Sequence, residues 1–542
     1  MFGEINNNHG DILAFEGEFY NAAELRGELG LRSDCEHCGI LRAAYIKWGE
    51  ACLAKLDGVF AFAVRVGSIN NNLFCGRDRL GLKSFFYAVD ISSGKFIFAS
   101  DIKLILEKIT GELDEQSVRE LILIGPGRTP GCAIFKNISE LEPGHCGVFS
   151  GGELKKYKYW DLREFAHGDN FNQTVERVRE LVLDAITRRL YSDNKQVCTL
   201  LSGGLDSSII TSVAARYFGE RGLVSFSVDY ADNSKYFNAS AFQPERDDKY
   251  IECMKDYINI THHQVILDTR ELADALYDAV DARGLPGMAD IDASLLLFCR
   301  HIKKYFPVAL SGEGADEIFG GYPWFRDKQI RDSYGFPWSR EINFRKSLFG
   351  GEFAYLSDTA ESYVNERYEH ALADVSRDNN KEEARIKELF NLNLKWFAQT
   401  LLERQDKMSG DLNIRAPFCD YKLVQYLYNI PWEYKNHNNI EKGLLREAFR
   451  DMLPPEIYGR KKSPYPKTYN PAYLSCVSKI LAGIINNPSS PLLKIADKHA
   501  LANLIALAPD IKFYGQLMNA PQIIAYFVQI NYWLERYNIR LV

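Results

Sequence analysis

One segment constrains this chain more than any other: Leu200-Leu201-Ser202-Gly203-Gly204-Leu205-Asp206-Ser207-Ser208-Ile209-Ile210. An apolar run over 196–201 reads as a buried strand and ends in a turn that sets two glycines among hydroxyl and carboxylate side chains. Apolar residues then recur at helical spacing at Ile209-Ile210, Val213-Ala214 and Tyr217. Glycine lets backbone approach a ligand closely, and the free N–H groups of such a loop, with the helix N-terminus behind them, favour an anion. The surrounding grammar repeats the pattern. Strands are predicted over 223–228, 263–267 and 307–310, and helices over 175–189, 250–257, 271–282 and 293–303. Strands alternating with helices imply right-handed crossovers and an α/β fold with a parallel sheet.

The first 160 residues obey another rule. Short runs such as Ile12-Leu13-Ala14-Phe15, Val59-Phe60-Ala61-Phe62-Ala63-Val64 and Lys95-Phe96-Ile97-Phe98-Ala99 lie between Gly, Asn and Asp turns, and the main helix is predicted over 38–55. That mixture reads as a compact β-rich α+β domain. From Trp160 to Asn170 the chain turns polar and loses periodicity. The expected division is therefore 1–160, a linker over 161–173, and 174–542, mostly helical beyond Glu361. A length of 542 residues suits two large domains.

Charge and cysteine narrow the function classes. Sixty-five Lys and Arg against 72 Asp and Glu leave a net charge of −7, so no basic field exists to hold nucleic acid or an anionic membrane. No run approaches the ~18 apolar residues of a membrane span, and the first residues lack the basic and apolar regions of a signal peptide. Eleven scattered cysteines fit reduced thiols and a cytoplasmic setting. Cys35-Glu36-His37-Cys38 has no second pair at matching spacing and reads as thiols rather than zinc.

The glycine turn is not a Walker A loop, because no Gly-Lys-Ser/Thr follows. It resembles the Ser-Gly-Gly-x-Asp-Ser pyrophosphate loop of enzymes that adenylate a substrate with ATP. On that likeness Asp206 is placed to hold magnesium, while Ser202, Gly203, Gly204, Ser207 and Ser208 hold phosphates. A second string, Leu310-Ser311-Gly312-Glu313-Gly314-Ala315-Asp316-Glu317, follows a later strand, and strand ends in open parallel sheets share a crevice. Carboxylates there repel phosphates unless a cation intervenes. Asp316 is therefore expected to join Asp206 on Mg²⁺, and Glu313 to act as a base on an attacking amine. Glu317 is explained as helix N-terminal charge and left out of the chemistry. Lys442, in Ile440-Glu441-Lys442-Gly443-Leu444-Leu445-Arg446, is the candidate for offsetting charge on departing pyrophosphate. Arg415 and the Arg460-Lys461-Lys462 cluster are weaker candidates.

These strings, with Asn413 to Asp420 and Glu441 to Glu447, resemble the synthetase domain of glutamine-dependent asparagine synthetases. The N-terminal part is similar to their class II glutamine amidotransferase domain through Glu16-Gly17-Glu18-Phe19-Tyr20-Asn21, Ser33-Asp34-Cys35-Glu36, 56–62 and Gly76-Arg77-Asp78-Arg79-Leu80-Gly81. The likeness spans nearly the whole chain. It implies an Ntn-type sandwich followed by a PP-loop domain of the adenine nucleotide α-hydrolase type. It further implies ATP and Mg²⁺ as cofactors, aspartate as substrate, and a β-aspartyl-AMP intermediate that ammonia converts to asparagine. The adenine contacts carry over to Leu200, Val228, Ser311 and Gly312, the base to Glu313 and the transition-state lysine to Lys442. The stretch 287–294 lies where the family places substrate contacts.

The N-terminal domain departs from that family. Where the family has a nucleophilic Cys after the initiator Met, this chain has Phe2, which can neither attack an amide nor be activated to do so. The family's Arg-His-Arg-Gly-Pro-Asp and Arg-Arg-Leu-Ser strings are absent, and Glu16 replaces an Asn that donates to the oxyanion. Gly17, Glu18 and Asp34 remain as remnants of a glutamine site expected to be inactive in a truncated domain. Missing strands would leave an edge for repacking or for a partner to cover, the partners expected being a second copy of the chain or a separate glutaminase. The run Asp406-Lys407-Met408-Ser409-Gly410-Asp411-Leu412-Asn413-Ile414-Arg415 is about two residues shorter than the family's pattern. Three readings result: an ammonia-using asparagine synthetase; an acyl-adenylating relative of β-lactam synthetases or lasso-peptide cyclases; and a pseudoenzyme that keeps nucleotide binding alone.

Overall fold

The computed structural model describes residues 1–5, 10–67, 72–90, 94–191, 196–239, 244–373, 375, 380–508 and 510–542. The chain divides into two compact units. One comprises Met1–Leu121, Gly127–Leu162 and Leu534–Val542, and the other Ile122–Pro126 and Arg163–Trp533.

In the first unit the strands are β1 (Phe2–Ile5), β2 (Ile12–Phe19), β3 (Gly58–Arg65), β4 (Leu73–Arg77), β5 (Phe86–Asp90), β6 (Lys95–Ala99), β7 (Glu112–Leu113), β8 (Ser139–Glu140), β9 (His145–Ser150) and β10 (Glu153–Lys158). Nine of them build two antiparallel sheets, ordered β1-β6-β5-β8 and β10-β9-β4-β3-β2. The run from Val59 to Val64 shows why. Side chains alternate across a strand, so Ala61 and Ala63 face Phe96, Phe98 and Phe149, while Phe60, Phe62 and Val64 share a second core with Leu41 and Tyr45 of helix His37–Trp48. A strand buried on both faces reads as a continuous apolar run. The helix predicted over 38–55 ends earlier, at Gly49, whose φ of 58° breaks it into a 3-10 turn over Gly49–Ala54.

The second unit holds β11 (Val197–Leu200), β12 (Val224–Tyr230), β13 (Thr261–Leu267), β14 (Val308–Leu310) and β15 (Asn413–Arg415), all parallel, in the order β13-β12-β11-β14-β15. Each predicted strand from 196 to 310 is present. Helices Leu205–Phe218, Asp248–Tyr257, Thr269–Arg283 and Asp290–Lys303 lie between them in sequence. β15 is the addition: Asn413-Ile414-Arg415 carries one apolar residue and shows no strand period, yet it pairs in register from Val308↔Asn413 to Leu310↔Arg415. Helix Phe171–Leu190 starts inside the stretch expected to be linker, because Asn170 and Gln173 close a capping box at its N-terminus. The division expected at the C-terminus also differs: β16 (Arg540–Leu541) pairs with β7, which carries Leu534–Val542 into the first unit. Strand order reverses between β11 and β14, so their carboxyl ends open a crevice at the switch point. Among the described residues no helix is long and apolar enough to cross a membrane.

Candidate active site

Two loops leave the switch point. After β11, Ser202, Gly203 and Gly204 turn the chain into helix Leu205–Phe218, with Gly204 as its N-cap. Gly203 has φ +67°, and a Cβ there would stand 2.6 Å from Tyr250 Cβ, so only glycine fits. Ser202 N–H donates to Ser207 Oγ at 3.3 Å, and Ser207 Oγ donates to the Gly204 carbonyl at 3.2 Å, which fixes the loop. After β14, Ser311 N–H donates to the Arg415 carbonyl at 2.9 Å and Glu313 N–H to Ser311 Oγ at 3.3 Å. A Cβ on Gly312 would lie 3.1 Å from Asp206 Cβ, so this glycine lets the two loops touch.

A third segment closes the site. Lys442, the N-cap of helix Gly443–Ala448, holds φ 54° and ψ 36°. This left-handed conformation costs an ordinary residue about 1–2 kcal/mol. The strain buys a fixed ammonium: Lys442 Nζ lies 2.6 Å from Asp206 Oδ2 and 2.8 Å from Asp316 Oδ1. Lys462 pairs with the other Asp316 oxygen. Arg460 pairs with Asp247 and donates to the Ser202 carbonyl at 2.9 Å, which ties residues 460–462 across the pyrophosphate-type loop. Lys461 lines the cavity, whereas Arg415 is buried outside it and donates to the Arg189 carbonyl at 2.6 Å. Burial pushes the Asp206 carboxyl up against the pull of Lys442. Burial opposes ionisation of Asp316 as well, but the ammoniums of Lys442 and Lys462 outweigh it and hold its carboxyl well below the usual range. The same carboxylates keep Lys442 charged despite its burial.

These groups border a cavity of about 230 Å³. Of the residues expected at the site, Leu200, Ser202, Gly204, Asp206, Ser207, Val228, Ser311, Gly312, Glu313, Asp316 and Lys442 line it. Gly203 does not, since it faces Tyr250, and Ser208 is fully buried behind the loop. From the stretch 287–294, Met288 alone lines the wall; Asp290 accepts from Gln522 at 3.2 Å and Asp292 is paired with Arg283. Glu317, set aside on sequence grounds, also lines the cavity. Its carboxylate accepts from Tyr322 Oη at 2.6 Å, and burial, with the nearby charges of Asp316 and Glu313, pushes its pKa up to about 7. Sequence reasoning also passed over Arg404, whose Nη2 donates to Glu313 Oε1 at 2.8 Å. It carries no distinct sequence signal, since it stands among Glu403, Gln405, Asp406 and Lys407 in helix Ala398–Ser409.

The glutamine-site remnants lie in the first unit. Gly17, φ +129°, and Glu18 are part of β2, paired with Phe60 and Val59, and Asp34 is exposed and paired with its neighbour Arg32 at 2.7 Å. Glu16 accepts from the Met1 ammonium at 3.0 Å, lies 3.3 Å from Lys83 Nζ and is bonded to Ser100. Phe2 is in β1, with Lys108 Nζ 5.6 Å from its ring centre.

Fold and loop together define a two-unit protein, an amidotransferase-like β-rich unit joined to an α/β unit of the pyrophosphate-loop type. The asparagine synthase family model matches residues 177–535, and the glutamine amidotransferase domain model matches 4–160. The chain belongs to the asparagine synthase family. It is 45% identical to "Asparagine synthetase [glutamine-hydrolyzing] 3" of Bacillus subtilis (strain 168), across 97% of this chain and 87% of that protein. It is 26% identical to "Asparagine synthetase [glutamine-hydrolyzing] 1" of the same organism, across 84% and 75% respectively. A third relative, "Amidase chyE" of Penicillium rubens, is 27% identical across 83% of this chain and 76% of that protein.

Proposed function

We propose that the protein is an ATP-dependent ligase that converts aspartate to asparagine through β-aspartyl-AMP. The observation that carries the reading is the convergence, on one cavity, of the switch-point loop, the carboxylate pair with its shared lysine, and Glu313. Backbone at Leu200, Val228, Ser311 and Gly312 brackets the adenine, while the amides of 202–204 and the N-terminus of helix Leu205–Phe218 receive the phosphates. Mg²⁺ suits the carboxylate pair, because one ammonium already touches both side chains and the buried Asp206 Oδ1 has no partner among the described residues. Asp206 and Asp316 would hold it, and it would offset the phosphate charge. Lys442 and Lys462 face the same phosphates and offset the charge that grows as pyrophosphate leaves.

The β-carboxylate of aspartate attacks the α-phosphorus, and the bond to pyrophosphate breaks. An amine nitrogen then attacks the acyl carbon, Glu313 takes a proton from it, and AMP departs with the bonding pair. Free ammonia is the nitrogen donor in this reading. Supporting it is Glu16, a carboxylate at the position where the family has an Asn that donates to the oxyanion.

The test is exchange of labelled pyrophosphate into ATP. Aspartate should trigger it, ammonia should then yield asparagine and AMP, and glutamine alone should yield no glutamate. Exchange triggered by another carboxylic acid and not by aspartate would move the protein to the lactam-forming or cyclase type of reaction. A protein that binds ATP and exchanges with no acid would be a pseudoenzyme.

A further inference from the structure

The cavity extends beyond the phosphate loops to a wall formed by Arg404, Gln405 and Tyr465. Arg404 and Gln405 follow one another on helix Ala398–Ser409 and are buried, at 2% and 5% exposure. The guanidinium is fixed from two directions, by its bond to Glu313 and by the Tyr465 ring 5.0 Å away. Burial works against its charge, but Glu313 and Asp292 outweigh that and keep it cationic. Three polar atoms are nevertheless left over. Arg404 Nε, Arg404 Nη1 and Gln405 Oε1 have no hydrogen-bond partner among the described residues.

Such orphans are costly. An unmet buried donor or acceptor loses about 1–3 kcal/mol, and more when charged. Asp292 and Glu403 do not relieve it, since Arg283 takes both, at 3.3 and 2.5 Å. A cationic donor, Arg404 Nη1, and an amide acceptor, Gln405 Oε1, on two consecutive residues that line the cavity match a ligand that carries a carboxylate next to an ammonium. That is the head group of an α-amino acid.

We propose that Arg404 and Gln405 form the head-group site for the amino-acid substrate, with Arg404 binding its α-carboxylate and the Gln405 carbonyl accepting from its α-ammonium. The assignment rests on the reading above and adds to it the residues that select the acid. Glu313 joins the two ends of the site, since its carboxylate is bonded to the guanidinium while its backbone follows the phosphate-side loop. A side-chain carboxylate anchored in this way reaches toward the phosphates with its head group held away from them.

Pyrophosphate exchange precedes the step that uses Glu313, so it reads the head-group contacts separately from base chemistry. Arg404→Lys should raise the KM for aspartate about 30-fold, because a point charge cannot replace a planar guanidinium that holds Glu313 through Nη2 while Nη1 is left for the ligand. Gln405→Leu should raise it about 5- to 10-fold. ATP-induced thermal stabilisation of each variant checks that the fold and nucleotide site survive. Two analogues separate the contacts. Succinate lacks the α-amine, so Gln405→Leu should leave its exchange unchanged; β-alanine lacks the α-carboxylate, so Arg404→Lys should leave its exchange unchanged. If the wild type exchanges with aspartate but Gln405→Leu and Arg404→Lys keep its KM, the head-group assignment is wrong and the ligase reading stands. If aspartate triggers no exchange in the wild type, the ligase reading has failed and the assignment falls with it.

Discussion

Carboxylates occur in both units where the resemblance placed functional residues, and they behave differently. Asp206 and Asp316, 110 positions apart on different loops, meet at one ammonium that comes from residue 442. All three are largely buried and border a cavity. Asp34 instead bonds Arg32, two positions away, with 66% of its side chain in solvent, and Glu16 is absorbed by the Met1 ammonium, Lys83 and Ser100. The carboxylate pair beside the cavity shares one ammonium, with a desolvation cost that the ion pair offsets, whereas Asp34 stays in water and Glu16 is taken up by an ammonium and a hydroxyl group.

The comparison breaks first at Asp206. Asp206→Asn keeps the shape and removes the charge that a metal needs, and should cut aspartate-dependent exchange about 1000-fold. Activity within tenfold of wild type would mean that the buried pair is an ordinary ion pair. Lys442→Met comes next, with a loss of about 100-fold, the scale of one group aimed at developing charge. Because the left-handed backbone at 442 persists in the variant, stability read by denaturant should move less than rate. If the two fall together, the lysine is structural.

What the sequence disclosed follows the same line. The Ser-Gly-Gly loop, the second acidic loop and Lys442 were readable because local pattern and chemistry coincide in strand, turn and helix. β15 escaped because three residues with one apolar side chain carry no period; their strand character comes from the neighbouring β14. Arg404 and Gln405 escaped for the opposite reason. In a helix, a polar pair reads as a solvated face, and only tertiary packing shows that this one is turned inward. Glu317 does stand in the first turn of helix Ala315–Phe319, as its helix-end reading has it, but its burial beside the cavity is set by tertiary packing that the sequence does not show. Position 16 was readable as a change of residue type, but its partners Lys83 and Ser100 belong to distant strand ends and turns.

Glu317 sharpens the contrast with a smaller effect. Its carboxyl ordinarily titrates near 4.5 and is raised to about 7 by burial and by the charges of Asp316 and Glu313. The folded protein therefore holds a proton that the unfolded chain has released between those values, and stability falls as pH rises through that window. Glu317→Gln removes the ionisation. The variant should gain on the wild type by about 3 kcal/mol at pH 8 and lose that advantage by pH 4.5, measured by denaturant titration at each pH. An advantage that stays constant with pH would show that Glu317 ionises freely in the fold.

Asp34→Ala is expected to do least, and that makes it informative. An exposed ion pair two residues apart contributes at most about 1 kcal/mol, so midpoint and slope of unfolding should barely move. Ammonia-dependent asparagine formation should not change, since no cavity residue of the second unit is altered. The measurement that matters is the same assay run with glutamine as nitrogen source. If wild type makes asparagine from glutamine and Asp34→Ala loses that while keeping the ammonia reaction, then Asp34 still binds glutamine and its solvent exposure marks an open substrate site. If neither protein uses glutamine, exposure and a local partner are what a carboxylate looks like once its ligand has gone.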